Sequence, residues 1–385
     1  MFKLTANNSQ SKLRRGTVAT AHGKLLTPFF MPDATRGFVK LLSEKEVKMT
    51  KTPAMVVNTF HLYLQPGQAL IKKAKGIHKF MDCSRPLLSD SGGFQVFSLI
   101  HRSRNMGKID DEKVIFKSPI DGSRHELTPE KSIQIQFDLG VDMMVCLDDC
   151  PPNEFLRVDL EKAVTRTIAW AKRCKVEYLK QLKLRKITEA QRPLLFCVVQ
   201  GGAELDLRER CAQELAAIGF DGYGFGARPI DQKGNFLAEV MFKTASYIPK
   251  EAIRFALGVG TPDDIYRSYL MGWDMFDCVI PTREGRHGRL FNFTSQFKGF
   301  ACPKNLNKPV KIAPKFYQTL NINNAEYIND FSPINVKSRI PELRRYTKAY
   351  LHHLFKANEP LGQKLASLNN LEFFADLTDY LRKIK

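Results

Sequence analysis

Four things are missing from this chain, and each absence removes a class of protein. Its eight cysteines (Cys83, Cys146, Cys150, Cys174, Cys197, Cys211, Cys278 and Cys302) form no C-x-x-C pair, so neither a zinc knuckle nor a disulfide framework is expected. Cys146, Cys197 and Cys278 fall inside apolar runs, where a buried, inert thiol is the expectation. No stretch approaches the ~20 apolar residues of a membrane span, and residues 1–15 hold no apolar signal core, so a cytoplasmic protein without a membrane partner is expected. No G-x-G-x-x-G follows a strand-like run, which argues against a dinucleotide-binding sheet. Acidic residues are the last shortage: 40 Asp and Glu against 59 Lys and Arg leave a formal net charge of +19. That balance favours a polyanionic partner, nucleic acid or an acidic membrane surface, although a solvated cationic face gives the same count.

What is present is a repeat of two periodicities. Short apolar runs occur at 54–57, 86–88, 143–147, 194–199, 222–225, 255–259 and 275–280, too short for independent helices and apolar on both faces. Between them lie helical stretches at 128–139, 159–184, 205–218 and 262–273. The longest has Leu160, Ala163, Val164, Ile168, Ala171 and Leu179 on one side, with Asp159 as its expected cap. Pro262 after Thr261 reads as a helix start, with Asp263 and Asp264 in the first turn. Strands alternating with helices mean parallel units, and seven or eight of them suit a (β/α)8 barrel, an α/β TIM-type fold. Residues 113–127 break the alternation and read as an inserted β-hairpin turning at Asp121-Gly122. The expected division is a barrel catalytic domain over 1–291 and an appended, partly helical region over 292–385. That region is basic at first (Lys298, Lys304, Lys308, Lys311, Lys315) and helical over 343–355 and 372–384.

Several apolar runs end in polar or glycine residues. Residues 86–88 lead into Ser89-Asp90-Ser91-Gly92-Gly93-Phe94-Gln95, and 143–147 into Asp148-Asp149-Cys150. Residues 194–199 end at Gln200-Gly201-Gly202, 222–225 at Gly226 and 255–259 at Gly260. In a barrel these ends converge on the C-terminal face, where catalytic groups sit. One such aspartate is ordinarily a helix cap; three, beside glycine pairs that let a ligand approach the backbone, point to a site. Asp277 is the sharpest, because it lies within Met275-Phe276-Asp277-Cys278-Val279-Ile280, where a carboxylate is costly unless paired or used. Thr282-Arg283-Glu284-Gly285-Arg286 follows at once, an arginine-bearing loop suited to phosphate and base contacts, or else to simple solvation.

Residues 89–95 (SDSGGFQ), 199–202, 258–264 (GVGTPDD) and 275–286 (MFDCVIPTREGR), with 320–325 (LNINNA) and 349–353 (AYLHH) in the tail, resemble the tRNA-guanine transglycosylases, or queuine tRNA-ribosyltransferases. The resemblance covers nearly the whole chain from Arg14-Arg15-Gly16 onward. It implies a barrel enzyme that exchanges the wobble guanine of tRNA for a 7-deazaguanine, without a cofactor and commonly as a homodimer. It implies Asp277 as nucleophile on the ribose carbon and Asp90 as proton donor and acceptor. Asp148 and Gln200 would read the purine edges, and Phe94 would stack on the base. Ser91, Gly92, Gly93, Cys150, Gly226 and Ala227 complete the implied substrate pocket. Gly258, Val259, Gly260, Thr261, Pro262, Asp263 and Asp264, together with Thr282, Arg283, Glu284, Gly285 and Arg286, would hold the RNA.

Two departures stand out. Family members usually bind a structural zinc through a C-x-C-x-x-C group and a distant His. Those positions fall here on Ser338, Ile340, Leu343 and Asn369, so no metal is expected, with apolar packing of Ile340, Leu343 and Tyr346 in its place. Bacterial relatives carry Gly-Gly-Leu-Ala-Val-Gly-Glu where this chain has Gly226-Ala227-Arg228-Pro229-Ile230-Asp231-Gln232. That wall faces the 7-substituent, which leaves queuine, the leading candidate, and the 7-aminomethyl precursor both open. Two rival readings are a non-catalytic RNA-binding subunit and a barrel hydrolase of small nucleosides. The retained aspartates and TREGR string count against the first, and the +19 charge counts against the second.

Overall fold

The computed structural model describes residues 2–7, 13–102, 104–301, 306, 308–311 and 313–384; Cys302 and Lys304 lie outside them. Eight parallel strands make the central sheet: β1 (Phe29–Pro32), β2 (Met55–Asn58), β3 (Leu87–Asp90), β4 (Met143–Val145), β5 (Leu194–Val199), β6 (Gly222–Phe225), β7 (Ile253–Ala256) and β8 (Met275–Cys278). Each pairs with its sequence neighbour, and β8 pairs with β1. The ring closes between β1 and β2, where Ala34 N–H donates to Val56 C=O at 2.8 Å and Asn58 N–H to Thr35 C=O at 3.1 Å. This is the expected α/β barrel. The sequence reading missed β1, whose four residues (FFMP) end in a proline and lack the β-branched signature of a strand.

Alternation along the strands builds the barrel interior. Phe29, Met31, Val56, Leu88, Met143, Val145, Phe196, Val198, Phe255 and Met275 share one buried cluster. Val18 and Leu25 join it from the antiparallel strands Arg14–Thr20 and Gly23–Leu26, which cover the N-terminal end of the barrel. There Arg14 pairs with the buried Asp274 at 3.1 Å, and Asp142 takes bonds from His22 and Leu87 N–H.

Helices fill the outer layer. The helix at 159–184 begins earlier, at Arg157, with Leu156 as cap residue, so Asp159 sits in its first turn and is not the cap. Leu179 is exposed, since the buried stripe runs through Cys174, Tyr178 and Gln181. Helix Pro262–Leu270 stops three residues short of expectation, ahead of Gly272 at φ +93°. The inserted hairpin carries a third strand: Gly107–Ile109, Val114–Lys117 and Arg124–Leu127 form an antiparallel sheet, with Gly122 at φ +74° in its turn. Cys278 is half-buried and lines the barrel mouth, whereas Cys146 and Cys197 are buried as expected.

In the tail, strand Arg289–Phe293 pairs with Tyr317–Asn321 across the expected boundary at residue 291, and helix Pro360–Arg382 packs on Ile280–Arg286. The 372–384 helix is therefore the second half of a 23-residue one. Ile340 and Leu343 are fully buried, Ser338 bonds Glu372, and the Asn369 side-chain amide donates to Phe291 C=O at 3.0 Å. Two apolar side chains, a hydroxyl and a carboxamide do not fit a zinc ion as a ligand set.

Candidate active site

The inward alternation that fills the barrel with apolar residues turns polar at its C-terminal end. Two residues beyond Met31, Val56, Leu88, Val198 and Met275 stand Asp33, Asn58, Asp90, Gln200 and Asp277. Asp33, Asn58, Asp90 and Asp277, with Asp148 just past β4, line a cavity of about 490 Å³ at the barrel mouth, and Gln200 stands behind Asp148 as its donor.

Each carboxylate is held by a different device. Asp90 accepts a hydrogen bond from Asn58 Nδ2 at 2.9 Å. Asp148 accepts one from Gln200 Nε2 at 2.7 Å, and the Ser91 hydroxyl lies 3.5 Å from its other oxygen. Asp277 Oδ1 accepts the backbone N–H of Gly258 at 2.9 Å. Burial pushes all three up from the ordinary carboxylate value: Asp90 to about 6, Asp148 to about 7 and Asp277 to about 7. The hydrogen bonds oppose the shift, while the charge of Asp90 adds to it at Asp148 and Asp277. A carboxyl group near neutrality can give up a proton or take one at working pH.

The glycine turns fit this arrangement. Gly92 has φ +84°, and a Cβ there would sit 2.6 Å from Phe60 Cβ and 2.8 Å from its backbone nitrogen. A Cβ on Gly226 would lie 2.4 Å from Gln200 Nε2, so this glycine leaves room for the amide that holds Asp148. Ala227 is left-handed at φ +71°, a conformation that costs energy in a residue with a Cβ, and it lines the cavity beside Cys150 and Arg228. Burial pushes the Cys150 thiol up to about 12, which makes it a wall and not a nucleophile. Phe94, half exposed on helix Gly93–Arg102, presents an open ring at the rim.

The remaining expected residues divide by position. Gly258, Val259, Gly260, Thr261, Asp264 and Arg283 line the cavity. Thr261 caps helix Pro262–Leu270 by accepting Asp264 N–H at 3.1 Å, Asp264 pairs with Arg267, and Asp263 accepts the Tyr317 hydroxyl at 3.0 Å. The 282–286 segment is a short helix, Ile280–Arg286, and not the expected loop, because Pro281 stands in its first turn and Gly285 lets it seat on helix Pro360–Arg382. A Cβ on Gly285 would lie 2.8 Å from Ser367 Cα, Thr282 is buried, and Glu284 pairs with Arg289 at 3.2 Å. Arg286 lies outside the cavity lining, and burial lowers it from the usual arginine range.

Sequence reasoning missed Asp33, Asn58 and Gln95 as lining residues. The signal for Asn58 was available, since it follows an expected strand by one residue. Asp33 had none until β1 was recognised.

A parallel barrel whose mouth gathers poised carboxylates around an open cavity defines an enzyme working by acid–base and carboxylate chemistry. The chain belongs to the queuine tRNA-ribosyltransferase family, whose model matches residues 9–384. It is 40% identical over 382 residues to the queuine tRNA-ribosyltransferase of Thermoanaerobacter pseudethanolicus, covering 99% of this chain and 92% of that protein. The enzyme of the same name from Halothermothrix orenii is 37% identical over 99% of this chain and 92% of its own, and that from Prochlorococcus marinus is 38% identical over 96% and 90%.

Proposed function

We propose that this protein is a pentosyltransferase that exchanges the wobble guanine of tRNA for a 7-deazaguanine through a covalent aspartyl–ribose intermediate. The observation that carries the reading is the grouping of Asp277, Asp90 and Asp148 around one cavity, each oriented by its own donor. The Asp277 carboxylate attacks the ribose C1′ as the bond from C1′ to the base nitrogen breaks. Asp90, held by Asn58, gives its proton to the departing guanine. The incoming base returns a proton to Asp90 while its nitrogen displaces Asp277 from C1′. Asp148, fixed by Gln200, accepts hydrogen bonds from the donor edge of the purine, and Phe94 stacks on its face.

The preferred base is queuine. Cys150, Ala227, Arg228 and Ile230 form the wall on which that preference rests. The protein works in the cytoplasm as a homodimer, to which the tail offers the exposed side chains Ile328, Phe331 and Val336. No described helix is long and apolar enough to cross a membrane.

The test is exchange of labelled guanine, then of each 7-deazaguanine, into unmodified tRNA, with denaturing gels to trap the protein–RNA adduct. Wild-type protein should give exchange and an adduct, and Asp277→Asn neither. Efficient use of the aminomethyl base with no use of queuine would overturn the base preference. Absence of any exchange would overturn the whole reading.

A further inference from the structure

The functional reading leaves one carboxylate in the cavity without a task. Asp33 follows β1, on the strand hydrogen-bonded to the one bearing Asp277, with Asp277 paired to Met31. Alternation from Phe29 and Met31 directs Asp33 into the barrel mouth, about two residues (~7 Å of strand rise) beyond that pairing. The side chain lines the cavity with Asp277, Asp90 and Asn58. Its Oδ1 is held by Thr35, whose backbone N–H donates at 3.0 Å and whose hydroxyl donates as well. Among the described residues no donor reaches Oδ2. The carboxylate is therefore oriented at one oxygen and open at the other. Its charge adds to the upward shift of Asp277, which places the two groups in one electrostatic environment.

A sugar attacked at C1′ passes through an oxocarbenium-like state, and hydrogen bonds to its 2-hydroxyl strengthen in that state. The same hydroxyl distinguishes RNA from DNA. We propose that Asp33 is the ribose-reading residue of this site, its free oxygen accepting a hydrogen bond from the 2′-hydroxyl of the nucleotide whose C1′ Asp277 attacks. The inference rests on the base-exchange reading and adds a specificity determinant to it.

The experiment uses anticodon stem-loop RNAs that differ only at the target guanosine, ribo or 2′-deoxy, with guanine exchange measured for wild type, Asp33→Asn and Asp33→Val. Wild type should favour the ribo over the deoxy substrate in kcat/KM by about 10- to 100-fold more than Asp33→Val does, the worth of a hydrogen bond to a charged acceptor. The variants should show a similar loss on the ribo substrate and, relative to wild type, little further loss on the deoxy one, the non-additivity of two halves of one contact. Comparing variants with wild type cancels the intrinsic difference in reactivity of the two sugars. Losses that multiply independently, so that each variant discriminates between the two RNAs as strongly as wild type, would overturn the role of Asp33 at the sugar and leave it as a support for Thr35. If wild type exchanges no base on the all-ribo RNA, the functional reading falls and this inference with it.

Discussion

The proposed first step needs Asp277 and Asp90 in opposite protonation states, Asp277 ionised to attack and Asp90 protonated to donate. With Asp277 at about 7 and Asp90 at about 6 in the free protein, most molecules near neutrality hold the wrong combination. The substrate and the incoming base must shift these groups, which are coupled through their charges. The active combination is a minor form whose population peaks between these two values, so the expected pH profile of kcat/KM is a bell that rises towards about pH 6 and falls above about pH 7. A profile flat between pH 5 and 8 (roughly the window these values define) would show that neither group is shifted as described. Asn58 acts through Asp90. Asn58→Ala should lower kcat by about 10-fold or more with little change in KM and move the acidic limb of the profile, because a donor to the ionised form is lost.

At the scale of elements, the helix that follows Asp277 is tied to the tail through the Asn370 side chain. The Asn370 carboxamide accepts Phe291 N–H and donates to Pro281 C=O and Arg289 C=O, all at 2.9 Å. It is fully buried, so Asn370→Ala removes three hydrogen bonds to backbone groups and should cost about 3 kcal/mol in urea unfolding. Nothing in the sequence announced this residue, since its partners lie 79 to 89 positions away. The barrel was legible for a local reason: seven of its strands are apolar on both faces and alternate with amphipathic helices. The eighth, Phe29–Pro32, was not, because only closure of the ring makes it a strand. The same limit hid Asp33, while Asp90, Asp148 and Asp277 were visible as charges set directly behind apolar runs. The 282–286 segment reads as a loop from its Gly and Arg content and becomes a helix only when Pro360–Arg382 supplies a surface for it.

For the whole molecule, pH acts at both ends of the barrel. Burial would raise Asp142 at the floor, but hydrogen bonds from His22, His78 and Leu87 N–H outweigh it and hold the group well below the usual carboxylate range. A depressed carboxylate contributes stability above its unfolded value near pH 4 (about 3.9) and loses it as pH falls through the folded one. His22 is raised by the same bond, so its share is present below about pH 6.5 and disappears as pH rises through its folded value. The three mouth carboxylates are raised, so their share is lost as pH climbs from about 4 towards 7. Stability should therefore peak in mildly acidic solution, and Asp277→Asn should stabilise the free protein at pH 8 by about 1–3 kcal/mol while leaving it unchanged at pH 4, as measured by thermal unfolding. The net charge of +19 predicts tRNA binding that weakens with salt, with a log–log slope of roughly −0.7 per contact to single-stranded phosphate; a flat response would count against an RNA substrate. Gly285 seated on Ser367 has a last implication, one of timing. The segment just past Asp277 gains its supporting surface from residues 360–382, so a chain still held on the ribosome can complete all eight barrel strands and remain catalytically unfinished until that helix emerges. Activity in this fold is then a late event of synthesis.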